Sequence, residues 1–247
     1  MNKKHEQKQI KPIVLLSTLK SPLLALHIKS LIECNLTNLY VLLDEKDVND
    51  KDSKIWTERT QGALDDRENA LYRIDKAKIP FYFVTSHNSQ TSIDLIQYLE
   101  APVLINAGTP RKLDRKLIKS VSQGIINVHP GILPKYKGAC CVEWSILNND
   151  QIGNTAHFMS DEYDEGPIIE VEKYVFNKTD TYSKIRTHVY RKSIDMMTRV
   201  VSRVLADGLM AQHGKAQEKT PIYKPISPEQ LDEVKNLIKN GKYQYAI

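Results

Sequence analysis

One stretch decides both the fold and the candidate chemistry of this 247-residue chain: Gly124-Ile125-Ile126-Asn127-Val128-His129-Pro130-Gly131-Ile132-Leu133-Pro134-Lys135-Tyr136-Lys137-Gly138. The apolar run from Gly124 predicts a buried strand, and the prolines and glycines after it predict a fixed turn. Residues i and i+2 of a strand point to the same side. Asn127 and His129 are therefore expected to project together from the strand end.

A carboxylate follows on a second turn, 37 residues after Asn127 (164 − 127), within Asp161-Glu162-Tyr163-Asp164-Glu165-Gly166-Pro167-Ile168-Ile169. An amide, an imidazole and a carboxylate together can stabilise an oxyanion and move a proton, and acyl transfer needs both. We therefore predict Asn127, His129 and Asp164 as catalytic residues.

Apolar runs alternate with helical patterns along the first half of the chain. This alternation predicts an α/β, Rossmann-like fold: an open, mostly parallel sheet with helices on both faces. In such sheets ligands bind beyond the carboxyl ends of the strands, where Asn127 and His129 lie. The predicted strands are 12–17, 38–43, 79–84, 102–106 and 124–128, and the predicted helices include one opened by Ser21-Pro22, one over 91–99 and one over 112–121.

The pattern changes after residue 138. A helix is predicted over 140–148, strands near 154–160 and 168–176, a long helix over 181–207, and a last helix capped by Ser227 with Gln230 at capping-box spacing. The charged stretch 44–60 is expected to form a surface loop or short helix. We divide the chain into a disordered segment 1–10, a catalytic domain 11–209 and a small C-terminal extension 210–247.

Composition excludes several classes of function. The hydrophobic fraction is 41% and the charged fraction 26%, as in ordinary globular proteins, and no apolar run approaches the ~20 residues that span a bilayer. The net charge of +5 is spread among interleaved acids and bases, which argues against a nucleic-acid partner.

The three cysteines, including Cys140 and Cys141, show no disulfide framework or metal spacing, which favours the cytoplasm. The sequence contains no Gly-x-Gly-x-x-Gly motif, so it does not indicate a dinucleotide cofactor.

The two polar blocks resemble the folate-dependent formyltransferase family. Its mark is Asn-x-His-Pro-x-Leu-Leu-Pro-x-Tyr-x-Gly followed by Asp-x-x-x-Asp-x-Gly-Pro. Here Ile132 replaces one leucine, and two residues rather than three separate Asp161 from Asp164. Further similar segments lie at 104–113, 153–158 and 206–208, so that the resemblance covers roughly residues 11 to 209.

The resemblance implies formyl transfer from 10-formyltetrahydrofolate to an amine, without a metal. Asn127 would donate to the formyl oxygen, His129 would stabilise the oxyanion and take part in proton transfer, and Asp164 would orient His129 and help to remove the amine proton. The donor pocket would involve Gly108, Thr109, Pro110, Arg111, Leu113 and Asp161. Arg111 is either a partner of the folate glutamate tail or a solvated surface residue, and His157 faces either the core or the rim of the site.

Departures from the family pattern reduce the number of candidate acceptor substrates. Ser17–Pro22 contains no glycine, unlike the phosphate loop of the purine-pathway enzyme. The short stretch after Gly208 does not resemble the nucleic-acid-binding domain of methionyl-tRNA formyltransferase. The formyltetrahydrofolate hydrolase has a regulatory domain ahead of its catalytic domain, and a second histidine where Pro130 stands here.

The remaining branch is that of the bacterial nucleotide-sugar N-formyltransferases of surface polysaccharide synthesis. Lys20, Lys135, Tyr136 and Trp144 are then candidates for binding the sugar or nucleotide. The alternatives kept open are phosphoribosylglycinamide formylation in purine synthesis and a folate- or nucleotide-binding module without activity. No membrane partner is expected, and the identity of the sugar and a homodimeric state are left open.

Overall fold

The protein is described from a computed structural model, which covers residues 11–47, 50–64 and 70–247. The predicted segment 1–10 lies outside the described residues. Strands are β1 (Ile13–Ser17), β2 (Leu39–Asp44), β3 (Phe81–Val84), β4 (Val103–Asn106), β5 (Gly124–His129), β6 (Lys137–Gly138), β7 (Gly153–Phe158), β8 (Ile168–Lys173) and β9 (Ile222–Tyr223). Helices are α1 (Leu24–Glu33), α2 (Asp50–Thr60), α3 (Ala70–Lys76), α4 (Gln90–Tyr98), α5 (Arg115–Lys119), α6 (Cys141–Leu147), α7 (Tyr182–Asp207) and α8 (Pro228–Lys239).

In the described part of the chain, seven strands form one sheet in the order β3-β2-β1-β4-β5-β7-β8. The first five strands along the chain are parallel, whereas β7 pairs antiparallel with β5 and β8 pairs antiparallel with β7. The predicted open, mostly parallel α/β sheet is confirmed.

Helices cover both faces of the sheet, because its central strands are apolar on both faces. In β1, Ile13 and Leu15 belong to one core cluster, with residues of α1, α3 and α7. Val14 and Leu16 belong to a second cluster, with residues of α4 and α5. Burial on both faces is what makes the strand a continuous apolar run rather than an alternating one.

Helix α1 begins at Leu24, three residues after the predicted start at Ser21. The residues between form a turn in which the Ser21 N–H donates to the Thr18 carbonyl at 3.2 Å and the Leu23 N–H to Ser21 Oγ at 3.3 Å. The serine therefore acts before the helix rather than as its cap. The stretch 44–60, expected to hold a loop or short helix, contains α2.

The C-terminal extension packs against the segment that follows the turn after β5. Strand β9 pairs in parallel with β6, and α8 shares a third core cluster with α6 and α7. The capping box at Ser227 is confirmed, since Ser227 Oγ accepts from the Gln230 N–H at 3.2 Å and Gln230 Oε1 from the Ser227 N–H at 2.8 Å. The domain boundary near residue 209 stays a prediction. Among the described residues, no helix is both long enough and apolar enough to cross a membrane.

Acid should destabilise the fold through a histidine in α1. Burial lowers the pKa of His27 to about 4, from a usual value of 6.5. The folded state therefore favours neutral His27, and its contribution to stability is complete above about pH 6.5 and is lost as the pH falls toward 4. Within that window the loss is about 1.4 kcal/mol per pH unit.

The expected result is that His27→Leu reduces the pH dependence of the unfolding free energy between pH 6.5 and 4.5, measured by urea titration. Other buried histidines act in the same direction, because burial also lowers the pKa of His87 and of His157. The difference between variant and wild type isolates His27. Parallel pH profiles for the two proteins would contradict this account.

Candidate active site

Three polar side chains meet at the end of β5, as the sequence predicts. Asn127 and His129 project from the same side of the strand, and Asp164 lies on the turn before β8. The Nδ1 atom of His129 is 3.3 Å from Oδ2 of Asp164. The imidazole and the carboxylate are thus in contact.

The turn holds Asp164 in an unusual backbone conformation. Its φ is 54°, in the left-handed region that few residues other than glycine, asparagine and aspartate adopt readily. Oδ2 of Asp164 accepts from the Gly138 N–H at 2.8 Å, and its carbonyl accepts from Gln217 Nε2 at 2.9 Å. A Cβ on Gly166 would lie 1.7 Å from the Phe158 carbonyl oxygen, so only glycine fits there. These contacts fix the position of the carboxylate.

His129 lies behind Asp164 rather than facing open space. Its side chain is buried, and Nε2 donates to the Tyr136 carbonyl at 2.8 Å. The other ring nitrogen faces the Asp164 carboxylate, so that both nitrogens face oxygen acceptors. In this geometry His129 contacts Asp164, whereas the predicted direct contact of His129 with the oxyanion stays a prediction.

His157 is a closer neighbour of the site than the sequence indicated. It pairs with Asn127 across β5 and β7, and its Nε2 is 3.0 Å from Nδ2 of Asn127 and 3.8 Å from Oδ1 of Asp164. Nδ1 lies 2.9 Å from the Phe158 carbonyl, to which it can only donate. Because burial lowers the pKa of His157, the ring is neutral and Nε2 accepts from Asn127. The register of β7 against β5 is the signal that would have revealed this contact.

A cavity of about 290 Å³ opens in front of Asn127 and Asp164. His157 also lines it, whereas His129 does not. The other lining residues are Asn106, Thr109, Pro110, Arg111, Lys112, Leu113, Met159, Ser160, Glu162 and Tyr163. Nine of the thirteen lining residues are polar or charged, and the apolar surface comes from Pro110, Leu113, Met159 and Tyr163.

Most residues predicted to hold the donor line this cavity. Thr109, Pro110, Arg111 and Leu113 belong to its wall, while Gly108 and Asp161 adjoin wall residues. A Cβ on Gly108 would lie 2.1 Å from Ser21 Oγ, so this glycine allows close packing against the turn after β1.

Arg111 is engaged by a buried carboxylate. Its guanidinium donates to Oδ1 of Asp44 at 2.5 Å and to the Thr85 carbonyl at 3.2 Å. Burial opposes ionisation of Asp44, but the hydrogen bonds from Arg111 and from the His87 N–H hold the pKa of this carboxyl below its usual value. Arg111 is therefore a half-buried, ion-paired residue of the cavity wall rather than a solvated surface residue. Its pairing with the folate glutamate tail stays a prediction.

The predicted acceptor-binding residues lie apart from the cavity wall. Tyr136 is buried, its hydroxyl donates to Asp150, and its ring stacks on Tyr223 at 5.3 Å between centroids. Trp144 Nε1 donates to the Lys224 carbonyl at 2.8 Å. The structure thus gives both aromatic residues contacts with the C-terminal extension.

The two lysines predicted to bind the acceptor are exposed and paired with aspartates. Nζ of Lys135 contacts Asp150, and Nζ of Lys20 lies 3.8 Å from Oδ2 of Asp47. Their role in acceptor binding stays a prediction.

Across the ranges that the structure describes, no three His, Cys, Asp or Glu residues are grouped to hold a metal ion.

Comparison with known proteins places the chain in a family. Residues 14–201 match the model of the formyl transferase family. A methionyl-tRNA formyltransferase of Ligilactobacillus salivarius (strain UCC118) is 28% identical over 185 residues, which are 74% of this chain and 56% of the relative. A stretch of 162 residues matches 52% of the relative from Clostridium tetani (strain Massachusetts / E88), so that the chain spans about half the length of these curated relatives.

Solved structures share the fold at low sequence identity. Glycinamide ribonucleotide transformylase 1 from Symbiobacterium toebii superposes with a TM-score of 0.65 at 16% identity, over 89% of this chain and 99% of that one. A sugar N-formyltransferase from Shewanella sp FDAARGOS_354 gives a TM-score of 0.62 at 17% identity, over 93% of this chain and 88% of that one. With a family model matching most of its length, the chain belongs to the formyl transferase family.

Proposed function

We propose that the protein transfers a formyl group from 10-formyltetrahydrofolate to the amine of a nucleotide-linked amino sugar. The observation that carries the formyl transfer is the convergence of Asn127 and Asp164 on one cavity, with His129 and His157 against the carboxylate. The donor is a substrate that supplies the formyl carbon already bonded to a nitrogen leaving group. The cavity wall formed by Thr109, Pro110 and Leu113 is its proposed site.

The side chains supply the two functions that the reaction needs. When the acceptor amine attacks the formyl carbon, the carbonyl oxygen becomes an oxyanion, and an N–H of Asn127 stabilises it. Asp164 takes a proton from the attacking nitrogen, directly or through water, and the His129 ring in contact with the carboxylate orients it. The C–N bond to the folate then breaks, the folate nitrogen takes up a proton, and the N-formyl product leaves.

The turn after β1 supports an acceptor other than glycinamide ribonucleotide. A phosphate at a helix start needs unpaired backbone N–H groups. Here the Lys20 N–H donates to Oδ1 of Asp47 at 3.1 Å, the Ser21 and Leu23 N–H groups are bonded within the turn, and Pro22 has none. The Asp47 carboxylate adds a negative charge at the place where a phosphate would bind.

The acceptor is tested by competition. With glycinamide ribonucleotide and a panel of nucleoside-diphosphate amino sugars at equal concentrations, we expect the ratio of kcat/KM to favour a sugar nucleotide. The solved structures that share this fold include enzymes of both kinds, so the purine substrate is the main competitor. A ratio favouring glycinamide ribonucleotide would return the chain to purine synthesis, and donor binding without turnover of any amine would favour the inactive binding module.

Other properties stay predictions. The reaction is proposed to need no metal, and its partners are proposed to be small molecules rather than nucleic acid or membrane. The cytoplasmic location inferred from the cysteine pattern stays a prediction, and a homodimeric state stays open.

A further inference from the structure

Asn106 joins the loop that lines the cavity to the catalytic amide. It ends β4, one residue beyond Ile105, and Ile105 pairs with Ile126 of β5, the residue before Asn127. Adjacent positions of neighbouring parallel strands are side by side, so that Asn106 and Asn127 lie next to each other at the sheet edge. Nδ2 of Asn106 is 3.0 Å from Oδ1 of Asn127.

The orientation of the Asn106 amide is fixed by backbone groups that can only donate. Its Oδ1 accepts from the Gly108 N–H at 3.0 Å and from the Thr109 N–H at 2.9 Å. Nδ2 must therefore point away from the loop, toward Asn127. A flipped Asn106 amide would place two N–H groups of the backbone against its own NH₂ group.

The same logic then fixes the Asn127 amide. Because Asn106 donates to it, the atom of Asn127 facing Asn106 is the oxygen, and the NH₂ group faces His157 and the cavity. Nε2 of His157 accepts one of the two N–H groups of that amide. The second N–H remains for a ligand in the cavity.

We propose that Asn106 is a positioning residue, which sets the orientation in which Asn127 presents an N–H donor, rather than an acceptor oxygen, to the formyl oxygen. This inference rests on the proposed formyl transfer. The hydrogen-bonded series runs in one direction, from the loop N–H groups through Asn106 and Asn127 to His157. Asn106 thereby links the position of the donor loop to the orientation of the catalytic amide.

Asn106→Asp is the sharpest test, because it changes the second link of the series and keeps the first. One carboxylate oxygen can still accept from the Gly108 and Thr109 N–H groups, while the other places an acceptor against Oδ1 of Asn127 and drives that amide to flip. We expect kcat to fall about 10²-fold or more, the size of a lost oxyanion donor, with less than about a threefold change in the KM for the folate donor.

A double-mutant cycle separates positioning from a merely structural role. If Asn106 acts through Asn127, then Asn106→Asp should have almost no further effect on kcat in an Asn127→Ala background. Asn88→Asp is the matched control, since Asn88 also bridges backbone groups, the Lys112 carbonyl and the Asp114 N–H, and has no hydrogen bond to Asn127. That control should keep its kcat. Additive losses in the cycle, or a near-normal kcat in Asn106→Asp, would overturn the proposal.

A readout on the resting protein makes failure of this proposal distinguishable from failure of the proposed function. In wild type, the side-chain NH₂ signal of Asn127, assigned by its loss in Asn127→Ala, should show a nuclear Overhauser contact to the ring of His157. That contact should be lost in Asn106→Asp and kept in Asn88→Asp. If wild type transfers no formyl group, the formyl-transfer proposal fails on its own. A contact that persists in Asn106→Asp would overturn the role of Asn106 in orienting the amide.

Discussion

Replacing Asp164 with asparagine is expected to lower kcat for formyl transfer by about 10²–10⁴-fold, the usual contribution of a positioned acid–base group. The side chain keeps its shape, and an amide oxygen can still accept from the Gly138 N–H. What disappears is the group that takes the proton from the attacking amine, together with the charge facing His129. Steady-state kinetics at saturating donor and acceptor measure the loss.

The matched control for this prediction is Asp195→Asn, the same chemical change on an exposed position of α7. It should keep the wild-type kcat, and thermal unfolding should show that both variants fold. If Asp164→Asn retained more than about a tenth of the wild-type kcat, Asp164 would not be the proton acceptor, since even the lower limit for such a group is about a hundredfold.

Asn127→Ala is expected to reduce kcat by about 10²–10³-fold, because it removes the proposed oxyanion donor. The interaction forms mainly in the transition state, so the KM for the folate donor should change much less. The substitution also leaves Nδ2 of Asn106 and Nε2 of His157 without this partner, and some loss of stability is therefore expected.

Asn240→Ala serves as the control for that variant, since Asn240 is an exposed asparagine at the end of α8. It should leave both kinetic constants unchanged. If Asn127→Ala raised the KM and left kcat unchanged, this amide would bind the substrate and the transition state equally well, contrary to its assigned role.

The parallel part of the sheet could be predicted because its strands are apolar on both faces. Val14 and Ile13 are buried in different core clusters on opposite sides of β1, and such a strand reads as a continuous apolar run. The placement of Asn127 at a strand end and of Asp164 on a tight turn was predicted from local sequence patterns, whereas their association in one site was implied by the family resemblance. Each of these placements depends on local geometry and requires no knowledge of distant contacts.

Contacts between distant segments could not be predicted from the sequence. The proximity of His157 to Asn127 depends on the register of an antiparallel pair that no local pattern encodes. Arg111 meets Asp44 across 67 residues, and the ring of Tyr136 meets Tyr223 of the C-terminal extension. A charged or aromatic residue near a motif suggests ligand binding, but burial and a partner elsewhere in the chain decide its role.

The central claim is that this cavity transfers a formyl group through Asn127 and Asp164, and isotope transfer tests it most directly. The wild-type protein is incubated with 10-formyltetrahydrofolate labelled in the formyl carbon and with the panel of amine acceptors, and the products are followed by mass spectrometry. We expect the label in an N-formyl product with wild type, and its loss with Asp164→Asn and Asn127→Ala. Label that remains in the folate with every acceptor, or appears only as free formate, would contradict the account, as would equal transfer by the two variants.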